Sequence, residues 1–257
     1  MSIQLTLECL EPCLLEDGKT VITTLTNSGY LLYTLNMLKS LTPYNLDKKI
    51  LIVCIDATGS NILRKLGYNV VCVEEKTLGK FCPWNSPDYV KICYLKLELI
   101  YRVLSLHKNI LLIDGDIVFR KNPLDDIKTW YDNPKFNVWI QNDSLENNNT
   151  KNMCTGYMYI KSSDRLIKLY DCISEDGRKK YLKCAFDNND QTYFNDYVKR
   201  GCIFSALPLE KYPNGKMFYD NPELDATLVH FNWVHGHLKM AKMKEHKMWL
   251  LTPEEEV

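Results

Sequence analysis

The chain has 257 residues, 46% apolar and 25% charged, the balance of a folded protein with a sizeable core and not of a disordered one. Its 32 basic and 32 acidic residues cancel, which excludes the global basic field of a protein that binds nucleic acid or an anionic membrane through charge alone. An anionic ligand must therefore be met by a local cluster. The first residues carry Glu8, Glu11, Glu16 and Asp17 and no basic leader, and no apolar run reaches membrane-span length. None of the 10 cysteines forms a C-x-x-C, and Cys54 and Cys72 lie in strand-like apolar runs, as reduced core thiols do. These features predict a cytoplasmic protein, in which the sequons at Asn142 and Asn148 carry no meaning.

In chain order, residues 21–26 (VITTLT) predict a strand, Asn27-Ser28-Gly29 a tight turn, and residues 30–41, with Leu31, Leu35 and Leu38 at helical spacing, a helix. Residues 50–55 (ILIVCI) read as a fully buried strand ending at Asp56, residues 60–66 as a short helix, and residues 70–73 as a third strand. A long helix is predicted over 88–106, after the proline-bounded loop FCPWNSP, then a strand over 109–113. Alternating strands and helices predict an α/β fold with a mainly parallel, Rossmann-like sheet, whose ligands bind at the carboxyl ends of the strands. Thr26-Asn27, Asp56 and Asp114-Gly115-Asp116 all fall at such ends.

Further on, residues 137–141 and 154–161 read as strands, 163–174 and 190–199 as helices, and 142–152 as a polar surface loop. No internal repeat or low-complexity linker interrupts the chain, so residues 1–257 are expected to form one domain. A nucleotide-binding half would span about 20–116 and a sugar and acceptor half about 117–250.

The stretch NILLIDGDIVFRKNP sets two acids, Asp114 and Asp116, in an apolar strand. Buried carboxylates are costly unless paired or bound to a cation. One reading is a hairpin, with Asp-Gly as the turn and residues 111–113 and 117–119 as its arms. The other is a metal site, since residues i and i+2 of an extended chain point to one side and carboxylates suit Mg2+ or Mn2+. The position of Asp114 at a strand end facing the ligand crevice favours the metal.

Four further patches bear on chemistry. The C-terminal stretch LVHFNWVHGHLKMAKMKEHKMW concentrates histidines and lysines, a solvated basic face if read alone. TTLTNSGY offers hydroxyls, a carboxamide and a ring to a nucleoside, although any strand-to-helix turn favours such residues as caps. NNDQTYFND and Lys96 are polar groups that could hold sugar hydroxyls or simply face solvent.

Taken in order, these motifs resemble the metal-dependent nucleotide-sugar transferases of the GT-A fold, above all the glycogenin-like family 8 and the related family 77 nucleotide-diphospho-sugar transferases. TLTNSGY is similar to the first-strand nucleotide motif, LLIDGDIVFRKNP to the DxD strand, CTGYMYI to the small-residue-Gly strand, and NNDQTYFN to the Asp-Gln helix. LPLEKYPNGKMFY resembles a family 77 segment, and LVHFNW…GHLK the terminal His and G-x-x-K elements. The resemblance implies transfer of a hexose from a UDP-sugar, UDP-glucose before UDP-galactose, to a hydroxyl acceptor, with retention. A divalent cation, Mn2+ or Mg2+, would be held by Asp114, Asp116 and His230. Thr24, Leu25, Thr26, Asn27 and Tyr30 would surround the uracil and ribose, and Gly115 would let the ribose approach the backbone. Gly236 and Lys239 would approach the diphosphate, while Lys96, Asp190 and Gln191 would face the donor sugar, catalysis falling to Asp190, Gln191 and Lys239. The long interval from His230 to Gly236 leaves His235 and His237 open as alternative ligands. The acceptor, whether glycan, protein or small molecule, and the oligomeric state have no signature.

Two other classes stay open. D-x-D-x-T/V also fits haloacid-dehalogenase-like phosphatases, with Asp114 as nucleophile and Asp116 as general acid. There the motif ends the first strand of the domain, whereas several β/α units precede it here. A non-catalytic nucleotide-sugar-binding protein would keep every motif named.

Overall fold

The protein is described from a computed structural model over residues 2–183 and 189–256; the side chains of Lys76 and His237, and Asn188 at the head of the NNDQTYFN motif, lie outside the described ones. Nine strands are present among them: β1 (Thr20–Thr26), β2 (Ile50–Cys54), β3 (Asn69–Cys72), β4 (Asn109–Ile113), β5 (Ile117–Phe119), β6 (Val138–Asn142), β7 (Met153–Ile160), β8 (Phe204–Leu207) and β9 (Leu228–His230). Seven make one sheet in the order β3-β2-β1-β4-β7-β6-β8. β3, β2, β1 and β4 pair in parallel, as do β6 and β8, while β7 runs antiparallel to both its neighbours. The predicted α/β class and mainly parallel sheet are those observed. Because β7 is reversed, its amino end lies at the edge where its neighbours have their carboxyl ends. Residues 153–156 thereby reach the same crevice as Asp114.

Alternation along β4 places Ile110 and Leu112 in one apolar layer and Leu111 and Ile113 in the other, as a strand buried on both faces requires. The first layer contains the helix Pro87–Ser105, started by Ser86, whose hydroxyl accepts from Tyr89 N, and by a proline in the first turn. The second contains the helix Leu31–Leu41 and an aromatic cluster of Trp130, Trp139, Tyr157, Tyr159 and Tyr212.

Several boundaries differ from expectation. The helix expected at 60–66 spans Ala57–Lys65, because Asp56 caps it by accepting from Gly59 N at 3.0 Å. The helix expected over 163–174 ends at Tyr170, where the Asp171 carboxylate accepts from the amides of Ile173 and Ser174 and turns the chain. The segment 190–199 is α-helical over Asp190–Tyr193 and then π-helical over Phe194–Val198. Helices Leu124–Asp132 and Glu175–Lys183 and the short strands β8 and β9 were not read from the sequence.

The hairpin reading of Asp-Gly-Asp fails. β5 does not fold back on β4 but pairs antiparallel with β9, setting Ile117 opposite His230. None of residues 114–116 has the positive φ that the usual two-residue hairpin turn demands.

Candidate active site

A cleft of about 1270 Å³ opens at the carboxyl ends of β1 and β4, larger than the roughly 300–1,000 Å³ usual for one small ligand. Asp114 follows β4, Asp116 precedes β5, and the β5–β9 pair brings His230 over them. One ligand atom from each of these three residues lies within 4.8 Å of the others. Asp116 and His230 are buried, at 4% and 3% exposure, with His230 Nε2 3.3 Å from Asp116 Oδ1. The two carboxylates suit Mn2+ or Mg2+, the imidazole can complete the set for Mn2+, and coordination positions are left for phosphate oxygens. His235, by contrast, is exposed and stacks on Trp84, with ring centroids 5.8 Å apart, so it stands outside this cluster.

The close approach of the three depends on Gly156 in β7. A Cβ there would run into the His230 ring and lie 2.9 Å from Asp114 Oδ2.

The acids are not bare. Lys96, buried on the helix Pro87–Ser105, pairs with Asp114 at 2.7 Å and Asp190 at 2.9 Å, while Lys239 pairs with Asp116 and donates to Tyr30 Oη at 2.8 Å. Burial would push all three carboxyls up. For Asp116 the charges of Lys239 and His230 outweigh it and hold the carboxyl well below the usual range. Lys96 and a hydrogen bond from Thr155 lower the Asp190 carboxyl below its usual value. For Asp114 burial outweighs Lys96, and its carboxyl sits above the usual value. Burial opposes a charged His230, yet the Asp116 carboxylate raises the imidazole well above its ordinary value. Lys239 was expected at the diphosphate; here it pairs with Asp116. Gly236 takes φ 54° and ψ −138°, a conformation open essentially to glycine, and precedes the helix His237–Glu245 that carries Lys239.

Of the residues expected around the nucleoside, Leu25, Thr26, Asn27, Tyr30 and Gly115 line the cleft. Thr24 does not: it lies two residues back from the strand end, wholly buried in the sheet, and the expectation that it touches the nucleoside is corrected. The Asn27 amide donates to Leu78 O at 2.6 Å and Lys80 O at 3.0 Å, so this side chain holds the loop after residue 78. Gly115 also serves packing, since a Cβ would meet Thr34 Oγ1 at 2.6 Å.

Gln191 donates from Nε2 to Asp143 Oδ2 and Asn152 Oδ1, both at 3.1 Å. Asp143 also accepts from Asn232 Nδ2 and Trp233 Nε1, at 3.0 and 2.9 Å. This polar cluster was missed, because residues 142–152 read as an ordinary surface loop and local polarity does not say which loop faces a cleft. Asn195, the last letter of the Asp-Gln motif, clamps Met153 by accepting from its N–H and donating to its carbonyl, both at 2.9 Å. That clamp ties the Asp190 helix to β7.

A sequence model of the nucleotide-diphospho-sugar transferases matches residues 45–246. A UDP-galactose:fucoside alpha-3-galactosyltransferase of Dictyostelium discoideum is 24% identical over 187 residues, 64% of this chain; the chain spans only 28% of that relative's length. The galactosyltransferase LgtC, solved with donor and acceptor sugar analogs, superposes with a TM-score of 0.56 at 14% identity, covering 91% of this chain and 98% of its own. A glycosyltransferase involved in glycosylation of the major capsid of PBCV-1 gives 0.52 at 13% identity, over 88% and 98% of the two chains. At such identities the solved structures speak to the fold alone, and the fold they share is GT-A.

Proposed function

This chain belongs to the nucleotide-diphospho-sugar transferase family, a glycosyltransferase of the GT-A fold, and from that premise we propose that it moves a hexose from a UDP-sugar to a hydroxyl acceptor with the help of a divalent cation. The observation that carries the reading is the convergence of Asp114, Asp116 and His230 in one cleft with Lys96 and Lys239 against them. Asp114, Asp116 and His230 would hold Mn2+ or Mg2+, which when bound supplies positive charge for the leaving diphosphate. Lys239, freed from Asp116, would add a second positive charge there. Lys96, Asp190 and Gln191 would face the donor sugar, with Gln191 held by Asp143 and Asn152. Leu25, Thr26, Asn27, Tyr30 and Gly115 would form the nucleoside wall, and Gly236 the backbone beneath the diphosphate. In this reading residues 20–116 bind the nucleotide and residues 117–250 the sugar and acceptor.

UDP-galactose moves ahead of UDP-glucose as the donor to test, supported by the donor in the Dictyostelium relative's name. A cytoplasmic location is supported by the described cysteines, all free thiols; no helix among the described residues is long and apolar enough to cross a membrane.

Incubation with a panel of nucleotide sugars and Mn2+, following free UDP, tests the reading. Mn2+-dependent UDP release from a UDP-hexose is the expected result. Phosphate release from a phosphomonoester, or nucleotide-sugar binding with no turnover even to water, would overturn it in favour of the phosphatase or the binding protein.

A further inference from the structure

Gln141 lies on β6, wholly buried, at the point where the β6–β7 register jumps. Ile140 stands opposite Met158 but Gln141 stands opposite Cys154, so β7 carries extra residues there, among them Thr155 and Gly156. Such bulges commonly re-aim side chains next to active sites. The Gln141 amide has its direction settled by its neighbours. Nε2 donates to the carbonyl oxygens of Tyr212, at 3.2 Å, and Pro213, at 2.9 Å. A flipped amide would set its oxygen against both carbonyls. Oε1 therefore faces the other way, 2.7 Å from His230 Nδ1. An amide oxygen only accepts, so Nδ1 must carry the hydrogen, and Nε2 is the ring atom turned toward Asp116. The other neighbour of Nδ1, Cys154 Sγ, is 3.6 Å away and a weaker partner.

We propose that Gln141 is a positioning residue for the cation site. By accepting from Nδ1 it keeps a hydrogen there, so that Nε2, the ring atom turned toward Asp116, is the one left to take a cation, and it holds the ring in that plane. The inference rests on the reading of His230 as a metal ligand. Partners on the far nitrogen of a ligating histidine do this generally, fixing the tautomer and raising ligand basicity. Here the partner is a neutral amide, itself anchored to two backbone carbonyls, so no side-chain rotation can turn its donor end toward the ring without losing two hydrogen bonds.

The test combines a titration with a spectrum. Mn2+ is titrated, in the absence and in the presence of UDP, into the native chain and into Gln141→Leu, His230→Ala and Asp116→Ala, each checked for folding by circular dichroism. A long-range 1H–15N spectrum of the native protein with Mg2+ and UDP reads the His230 tautomer directly. Gln141→Leu is expected to weaken Mn2+ by roughly 10- to 100-fold, and the native spectrum to show hydrogen on Nδ1. A folded Gln141→Leu with native Mn2+ affinity, while His230→Ala and Asp116→Ala lose it, overturns the role of Gln141 and leaves the metal reading standing. Unchanged Mn2+ affinity in all three overturns the metal reading itself. Should Gln141→Leu not fold, the native spectrum decides alone, and a bare Nδ1 sinks the proposal.

Discussion

Lys96 Nζ lies 2.7 Å from Asp114 Oδ1 and 2.9 Å from Asp190 Oδ2, so one buried ammonium joins the acid at the end of β4 to the acid that opens the helix Asp190–Tyr193. The two elements come from distant parts of the chain, and the lysine between them comes from a third. Such a site holds its shape only while the three charges remain together.

Removing the shared cation should therefore unfold more than the cleft. Lys96→Met leaves the buried Asp190 carboxylate with the Thr155 hydroxyl but no cation, and the partly exposed Asp114 without its ion pair; a loss of about 3 kcal/mol is expected, the low end for a broken buried pair. Native Asp190 has a lowered pKa, so its contribution is present above the unfolded value, about 4, and fades as pH falls through the folded one. In the variant these acids rise and neutralise as pH falls, so the deficit should shrink between pH 7 and pH 4. Urea unfolding at both pH values measures it; an equal deficit at each would contradict the pairing.

Lys239 and a bound cation compete for Asp116. Lys239→Met should bind Mn2+ several-fold more tightly without nucleotide, because the carboxylate is released, yet bind UDP more weakly. Titrations with Mn2+ alone and with UDP separate the effects. An unchanged affinity for Mn2+ alone would mean that the lysine serves only the phosphates.

Asp116→Ala should abolish Mn2+-dependent UDP binding, and chelation of the metal should do the same to the native protein. Calorimetry with and without a chelator reads both. Full UDP binding after either treatment would remove the cation from the account.

Gly156→Ala places a methyl group against the His230 ring and Asp114. Mn2+-dependent UDP release should fall by at least about tenfold while most of the melting temperature is kept, since the strain is local to one bulged strand. Native activity in this variant would show that the ring can move aside.

Retention of the anomeric configuration is the outcome that resemblance to families 8 and 77 implies, and it is open to test. NMR of the product from an α-linked donor should show an α-linkage; a β-linked product would refute it.

Which parts of this were legible follows from range. The strand patterns of β1, β2 and β4, the long helix expected over 88–106 and the Asp114-Gly115-Asp116 motif are set by residues a few positions apart, and period, breaker and strand-end logic read them within a residue or two. β9 is too short to have a period, and its pairing with β5 is what selects His230 over the exposed His235. The polar run at 142–152 gives no sign that Asp143 and Asn152 turn into the cleft.

By itself, then, the amino-acid sequence determined the alternating strands and helices, the acidic strand end and, through its ordered motifs, the family. Only the tertiary structure decided which charges meet: Lys96 with Asp114 and Asp190, Lys239 with Asp116, Gln141 with His230. The physical reason is that hydrophobic period and caps are local properties of the chain. Partners for a buried charge are chosen by strand order, a reversed β7 and a bulge, which no short stretch encodes alone.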